Sequence, residues 1–138
     1  MKLLKRITLL VLITFSNCTA QVETNSNLEI IYTAQTRGSS YVIKYDGLNI
    51  ECKSNTEHKK IVLSKQQQEV VEYEVSKIKL TEIKDLVAPT SKRYSDGALS
   101  GKFVITKDEK KFTSSGFDHK NPPDDLKKLY LILEDIIK

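Results

Sequence analysis

The sequence predicts a single α+β domain: an antiparallel sheet of about 4–6 strands with two helices on one face, in the order strands–helix–strands–helix. Three observations predict it. Apolar and polar residues alternate after Asn27, on both sides of Asp46-Gly47 and after Ser100, the period of a half-buried strand. Apolar residues recur at helical spacing after Ser64 and after Pro123. The length of 138 residues allows one compact domain, and 39% hydrophobic with 29% charged residues is the composition of a folded chain.

Taken in order, Leu28, Ile30, Tyr32 and Ala34 alternate with Glu29, Thr33 and Gln35 as a first strand, with Ile31 the one apolar residue on the other face. Thr36-Arg37-Gly38-Ser39-Ser40 reads as a turn. Tyr41–Tyr45 and Leu48–Cys52 then flank Asp46-Gly47, a strong short-range hairpin signal. A two-residue turn there pairs Tyr45 with Leu48, Ile43 with Ile50 and Tyr41 with Cys52, all on one largely apolar face. Lys53 to Lys60 reads as a polar loop holding His58, and Ile61-Val62-Leu63 as a short strand.

Ser64 and Gln67 have the spacing of a capping box, so a helix starts there. Val71, Val75 and Ile78 form its stripe, which Ile83 and Leu86 continue after a kink near Thr81 as far as Ala88-Pro89. Ser95-Asp96-Gly97 is a turn, Gly101, Phe103 and Ile105 alternate as a strand, and Lys107-Asp108-Glu109-Lys110 turns the chain into Lys111–Ser115. Gly116 to Asn121 reads as a loop. Pro122-Pro123-Asp124-Asp125 opens the last helix, with Asn121 as its cap and both carboxylates at the positive end of its dipole. Leu126, Leu129, Tyr130, Leu133, Ile136 and Ile137 form its apolar stripe.

Residues 1–20 read as a signal peptide: Lys2, Lys5 and Arg6 precede the apolar run Ile7–Phe15, and small and polar residues follow. Two cuts fit. Cys18-Thr19-Ala20 before Gln21 suits signal peptidase I, whereas Phe15-Ser16-Asn17-Cys18 reads as a loose lipobox with lipid attached to the Cys18 thiol. Residues 21–27 are then a tether and residues 28–138 the domain. The expected product is exported to the periplasm or outer membrane, held by lipid on Cys18 under the second cut. Without the signal, the formal charge of +4 loses three basic residues and leaves 19 basic against 18 acidic side chains, which removes any nucleic-acid footprint. Cys52 has no partner in the mature chain under either cut, and its place in the strand pattern makes it core.

Few residues offer chemistry. Gly116-Phe117-Asp118-His119-Lys120-Asn121-Pro122-Pro123 is the densest polar spot, and an Asp-His loop entering a helix suits metal binding or acid–base work. The simpler expectation anchors the loop with Phe117, uses Asp118 and Asn121 as turn caps and leaves His119 in solvent. Two His and one Cys in the mature chain are too few for a zinc site of ordinary type. Gly97-Ala98-Leu99-Ser100-Gly101 fails the spacing of a nucleophile elbow, and Phe103 stands where a phosphate-binding loop needs Ser or Thr. No cofactor, metal or catalytic group is expected.

Arg37-Gly38-Ser39 after the first strand, Ala88-Pro89-Thr90 after the first helix, Asp96-Gly97-Ala98 and the run Phe117 to Pro123 together resemble a pattern in small, exported, functionally uncharacterised proteins of the Bacteroidota. The resemblance covers about residues 28–137. It implies no activity, but it does imply that Arg37, Asp96, Asp118, His119 and Asn121 belong together structurally, either as contact residues lining one edge of the sheet or as residues that fix the loops.

Two functions fit these readings. The first is a non-enzymatic cell-envelope protein that binds another macromolecule, most simply a protein, as an inhibitor or immunity protein does. The alternative is an envelope protein that binds a small ligand or metal through the Asp118-His119 loop with Asp96 and Arg37.

Overall fold

The computed structural model describes residues 27–138. The expected signal peptide, Cys18, both cleavage sites and all but the last residue of the tether lie outside the described residues. Strands β1 (Leu28–Gln35), β2 (Ser40–Tyr45), β3 (Asn49–Ser54) and β4 (His58–Val62) lead into helix α1 (Lys65–Lys77). Strands β5 (Ser100–Lys107), β6 (Lys110–Thr113) and β7 (Phe117–Asp118) precede helix α2 (Asp124–Ile137). The strands form one antiparallel sheet in the order β4-β3-β2-β1-β5-β6, with β7 paired to the start of β5. The expected α+β class and element order hold. The sheet has one strand more than the upper count, because β7 forms inside what the sequence presents as a loop.

Period-two burial runs cleanly through the centre of the sheet. Leu28, Ile30, Tyr32 and Ala34 of β1 are all buried, beside Ile43 and Tyr45 of β2 and Phe103 and Ile105 of β5. Val71 and Val75 of α1 and Leu126, Leu129, Tyr130 and Leu133 of α2 complete this core. Each fully buried side chain of that size stabilises the fold by roughly 1.5–3 kcal/mol. Both helices lie on the same side of the sheet, and among the described residues the other face carries no layer. Among the described residues no helix is long and apolar enough to cross a membrane.

Local signals explain where elements begin. Ser64 accepts from the Gln67 backbone, and the Gln67 side chain accepts from the Ser64 N–H, which closes the capping box. Four expectations need correction. The hairpin turn is centred on Gly47-Leu48, not on Asp46-Gly47. The Asp46 carboxylate accepts from the N–H groups of Leu48 and Asn49, and Gly47 supplies the positive φ of 91°. Tyr45 therefore pairs with Ile50, Ile43 with Cys52 and Tyr41 with Ser54, and Leu48 is exposed at the tip. A slip of two residues keeps every other side chain on its expected face. His58 lies in β4 rather than a loop, since β3 and β4 turn through Asn55–Glu57. Helix α1 stops at Lys77, where Ile78 becomes extended, and Ile83 is buried from a separate 3-10 turn, Ile83–Asp85. Asn121 does not cap α2: Pro123 holds that position without a side-chain hydrogen bond.

Candidate functional site

Strand β7 is only two residues long, yet it sets the site. Phe117 points into the core against Phe103 and Tyr32, so the next side chain, Asp118, must point to the other side. There the chain between residues 90 and 93 crosses it. The Asp118 carboxylate accepts from the Thr90 hydroxyl at 2.5 Å, from the backbone N–H groups of Lys92 at 2.8 Å and Arg93 at 2.9 Å, and from Arg93 Nη1 at 3.2 Å. The two N–H groups open a 3-10 helix, Lys92–Ser95, and would otherwise lack intrahelical acceptors. Asp118 thus caps a helix 25 residues earlier in the chain. Asn121 Nδ2 donates to Thr90 Oγ1 at 2.9 Å, and Arg93 Nη1 donates to the Thr90 carbonyl at 2.7 Å.

This is a buried ion pair, with side chains 10% exposed for Arg93 and 3% for Asp118. Such a pair is tolerable only when the remaining donors and acceptors are satisfied, as they are here. Burial alone would raise the Asp118 carboxyl. The hydrogen bonds from Thr90, Arg93 and Lys92 outweigh it and hold the group well below the usual carboxylate range. At the other end of the same segment the Ser115 hydroxyl donates to the Leu86 carbonyl. A stretch with little regular structure, residues 86–96, is therefore clamped at Leu86 and again from Thr90 to Arg93. It carries Val87, 85% exposed, and Tyr94, 79% exposed, the two most exposed large hydrophobic side chains among the described residues. The Arg93 guanidinium lies 4.3 Å from the Tyr94 ring centroid and donates to its hydroxyl at 3.0 Å, so this exposed ring is held as well.

His119 faces the opposite way from Asp118, back over the core. Its Nδ1 is 2.8 Å from the Tyr32 hydroxyl, and its ring stacks near Tyr32 with Tyr41 at 5.1 Å and Tyr130 at 6.5 Å. Burial lowers the imidazole, helped by the charge of Lys120, and raises the Tyr32 phenol. Both shifts favour the neutral forms, so near neutral pH an uncharged phenol and an uncharged imidazole share this hydrogen bond. Behind it, the Tyr41 and Tyr130 hydroxyls both donate to Glu134 Oε1, at 2.8 and 2.9 Å. Cys52 is buried and makes no disulfide among the described residues, and its thiol is pushed up by burial.

The sequence-predicted contact residues do not form one group. Asp118 and Asn121 share Thr90 as a partner, and His119 joins the tyrosines instead of standing in solvent. Asp118 and Asn121 fix loops as expected, though through Thr90 and the residues after it and not as caps of local turns. Arg37 sits in the exposed β1–β2 turn, and Asp96 is exposed at φ 56° behind the 3-10 helix. Among the described residues no hydrogen bond or ion pair joins either of them to Asp118, His119 or Asn121.

Thr90, Arg93, Tyr32 and Glu134 were missing from the sequence-based set. Only Thr90 carried a signal, through its place in Ala88-Pro89-Thr90. Among the described residues no group of three or more His, Cys, Asp or Glu is placed to hold a metal. A cavity of about 460 Å³ lies at the far end of the strands, between Asp46-Gly47-Leu48 and Gln68 and Glu72, away from the Asp118 loop. No protein-family model, curated protein or solved structure matches the chain.

Proposed function

We propose that the chain is an exported, non-enzymatic cell-envelope protein, lipid-anchored through Cys18, whose domain binds a protein partner in the manner of an inhibitor or immunity protein. The contact surface in this reading is the clamped segment 86–96. One observation carries it: a buried carboxylate with four donors is spent on holding a loop that displays Val87 and Tyr94 to solvent. Fixing a loop in advance removes ordering entropy from the cost of association. Exposed Tyr beside Arg is the residue chemistry of interface hot spots. The groups that could have suggested catalysis or metal binding have structural duties. Asp118 is saturated by donors, and His119 is tied to Tyr32.

The test is site-specific photo-crosslinking in intact envelopes, with the reactive residue at Val87 or Tyr94 and, as a control, at exposed Leu131 on α2. The reading expects one discrete adduct from positions 87 and 94 and none from 131. Identical patterns at all three positions would remove the loop as the contact surface. Anchoring is tested separately by the mass of the mature N-terminus: an unmodified start at Gln21 would refute it.

A further inference from the structure

The face of the sheet opposite the helices is covered by no other element among the described residues, and its charge is lopsided. Alternation and strand register place Lys44, Lys53, Lys60, Lys102 and Lys111 on it, against two acids, Glu29 and Glu51. Glu29 is paired with Lys44 at 2.9 Å, and Glu51 with His58 at 2.5 Å. The other four lysines are exposed and make no ion pair among the described residues. The helices on the opposite side carry the reverse balance. Glu69, Glu72 and Glu74 of α1 and Asp124, Asp125, Glu134 and Asp135 of α2 outnumber the four lysines there. The helices are thus net acidic and the open face of the sheet net basic.

The lysines are spread, not clustered. Lys53 and Lys102 lie in one cross-strand row, Lys53–Val42–Thr33–Lys102, and are separated by three strand spacings, about 14 Å. Lys60 lies in the next row along the strands, and Lys111 near the far edge. Between them sit half-buried Ile31, Val42 and Val104. A single phosphate needs convergent donors, whereas this array matches a surface that repeats negative charge over tens of ångströms. The chain outside the described residues supplies the reason to commit to one such surface. Nine residues separate Cys18 from Leu28 at the start of β1, a reach of at most about 36 Å, so a lipid on Cys18 keeps the domain beside its bilayer.

We infer that the open face of the sheet docks on the anionic phosphate layer of a lipid membrane, with the helices facing away. The inference rests on the export and anchoring proposed above, but not on the loop 86–96 as a partner site. Lysine side chains suit this role because each adds attraction near an anionic surface while its stem lies on apolar neighbours.

The experiment uses the mature chain from residue 18 with Cys18→Ser, so that no lipid is attached, and vesicles of phosphatidylcholine with or without phosphatidylglycerol. One variant replaces Lys53, Lys60, Lys102 and Lys111 by Gln. A charge-matched control replaces Lys65, Lys79, Lys127 and Lys138 by Gln. The inference expects sedimentation with phosphatidylglycerol vesicles that high salt abolishes, falls at least about tenfold in the sheet variant and changes little in the control. Equal losses in both variants, or equal binding to neutral vesicles, would overturn it. So would an acidic protein or a second copy of the chain that binds this face while vesicles do not. An unlipidated Cys18 in the native protein would refute the anchoring alone, because this assay does not depend on it.

Discussion

Replacing His119 by Ala tests how far the Asp-His loop is built into the core. The imidazole contributes a hydrogen-bond partner to the Tyr32 hydroxyl, and Tyr32 is fully buried. Removing it leaves a buried phenol without that partner, a loss of about 1–3 kcal/mol, and ring contacts to Tyr41 and Tyr130 add about 0.5–1.5 kcal/mol. Because the ring is only half-buried, the expected total is about 2–3 kcal/mol. His119→Phe separates the two parts: the ring contacts persist, and only the hydrogen bond is lost, at about 1–2 kcal/mol. Urea unfolding followed by circular dichroism reads both. With a slope of about 1–2 kcal/mol per molar for a domain of this size, His119→Ala lowers the midpoint by about 1–3 M.

The same experiment has a pH arm. The folded-state pKa of His119 is depressed, chiefly by burial and then by Lys120, with Glu134 opposing and Tyr32, Tyr41 and Tyr130 filling the rest of its surroundings. Protonation therefore favours the unfolded chain. The stabilisation is complete above the ordinary value of 6.5 and is lost as pH falls through the folded-state value. Wild type should lose stability between neutral and mildly acidic pH, and His119→Phe should lose less. A midpoint within experimental error of wild type for His119→Ala, with no pH dependence, would mean the ring is solvent-borne and the reasoning wrong.

Three further outcomes follow from local geometry. The β5–β6 turn holds Asp108 at φ 50° and Glu109 at φ 64°, so Asp108→Asn with Glu109→Gly should raise stability by about 1 kcal/mol in thermal unfolding. An unchanged or lower midpoint would contradict it. Ser64→Ala should cost about 0.5–2 kcal/mol by removing the reciprocal cap of α1, and a neutral effect in urea would show that the capping box is idle. Cys52 should resist thiol reagents until the protein unfolds, because it is 5% exposed and its thiol is raised by burial; rapid labelling of native protein would place it on the surface.

The layer architecture was legible because patterns with one physical meaning dominate it. Alternation from Leu28 to Ala34, the Ser64–Gln67 box and the stripe from Leu126 to Leu133 each specify an element locally. The turn at Asp46 was misplaced by one residue because Asp46-Gly47 and Gly47-Leu48 both put a glycine in a two-residue turn. Only the bonds from Leu48 and Asn49 to Asp46 decide between them. Ile83 and Leu86 keep helical spacing while serving a separate turn, so spacing alone extends α1 past its end at Lys77. The site was legible only as a list of residue types. Asp118 and His119 are neighbours in sequence, and a strand geometry that sends successive side chains to opposite sides gives them unrelated partners. Their partners, Thr90 to Arg93 and Tyr32, are distant in the chain, so no local pattern announces them.

The central claim, that Asp118 holds the segment carrying Val87 and Tyr94, is tested most directly by amide hydrogen exchange in Asp118→Asn. The side chain accepts from the N–H groups of Lys92 and Arg93, so these two amides report the brace itself. The account predicts that both are protected in wild type and exchange at least about tenfold faster in the variant, while Ile30 and Ile105 in the sheet keep their protection. Unchanged exchange at Lys92 and Arg93, or an equal rise at Ile30 and Ile105, would contradict it.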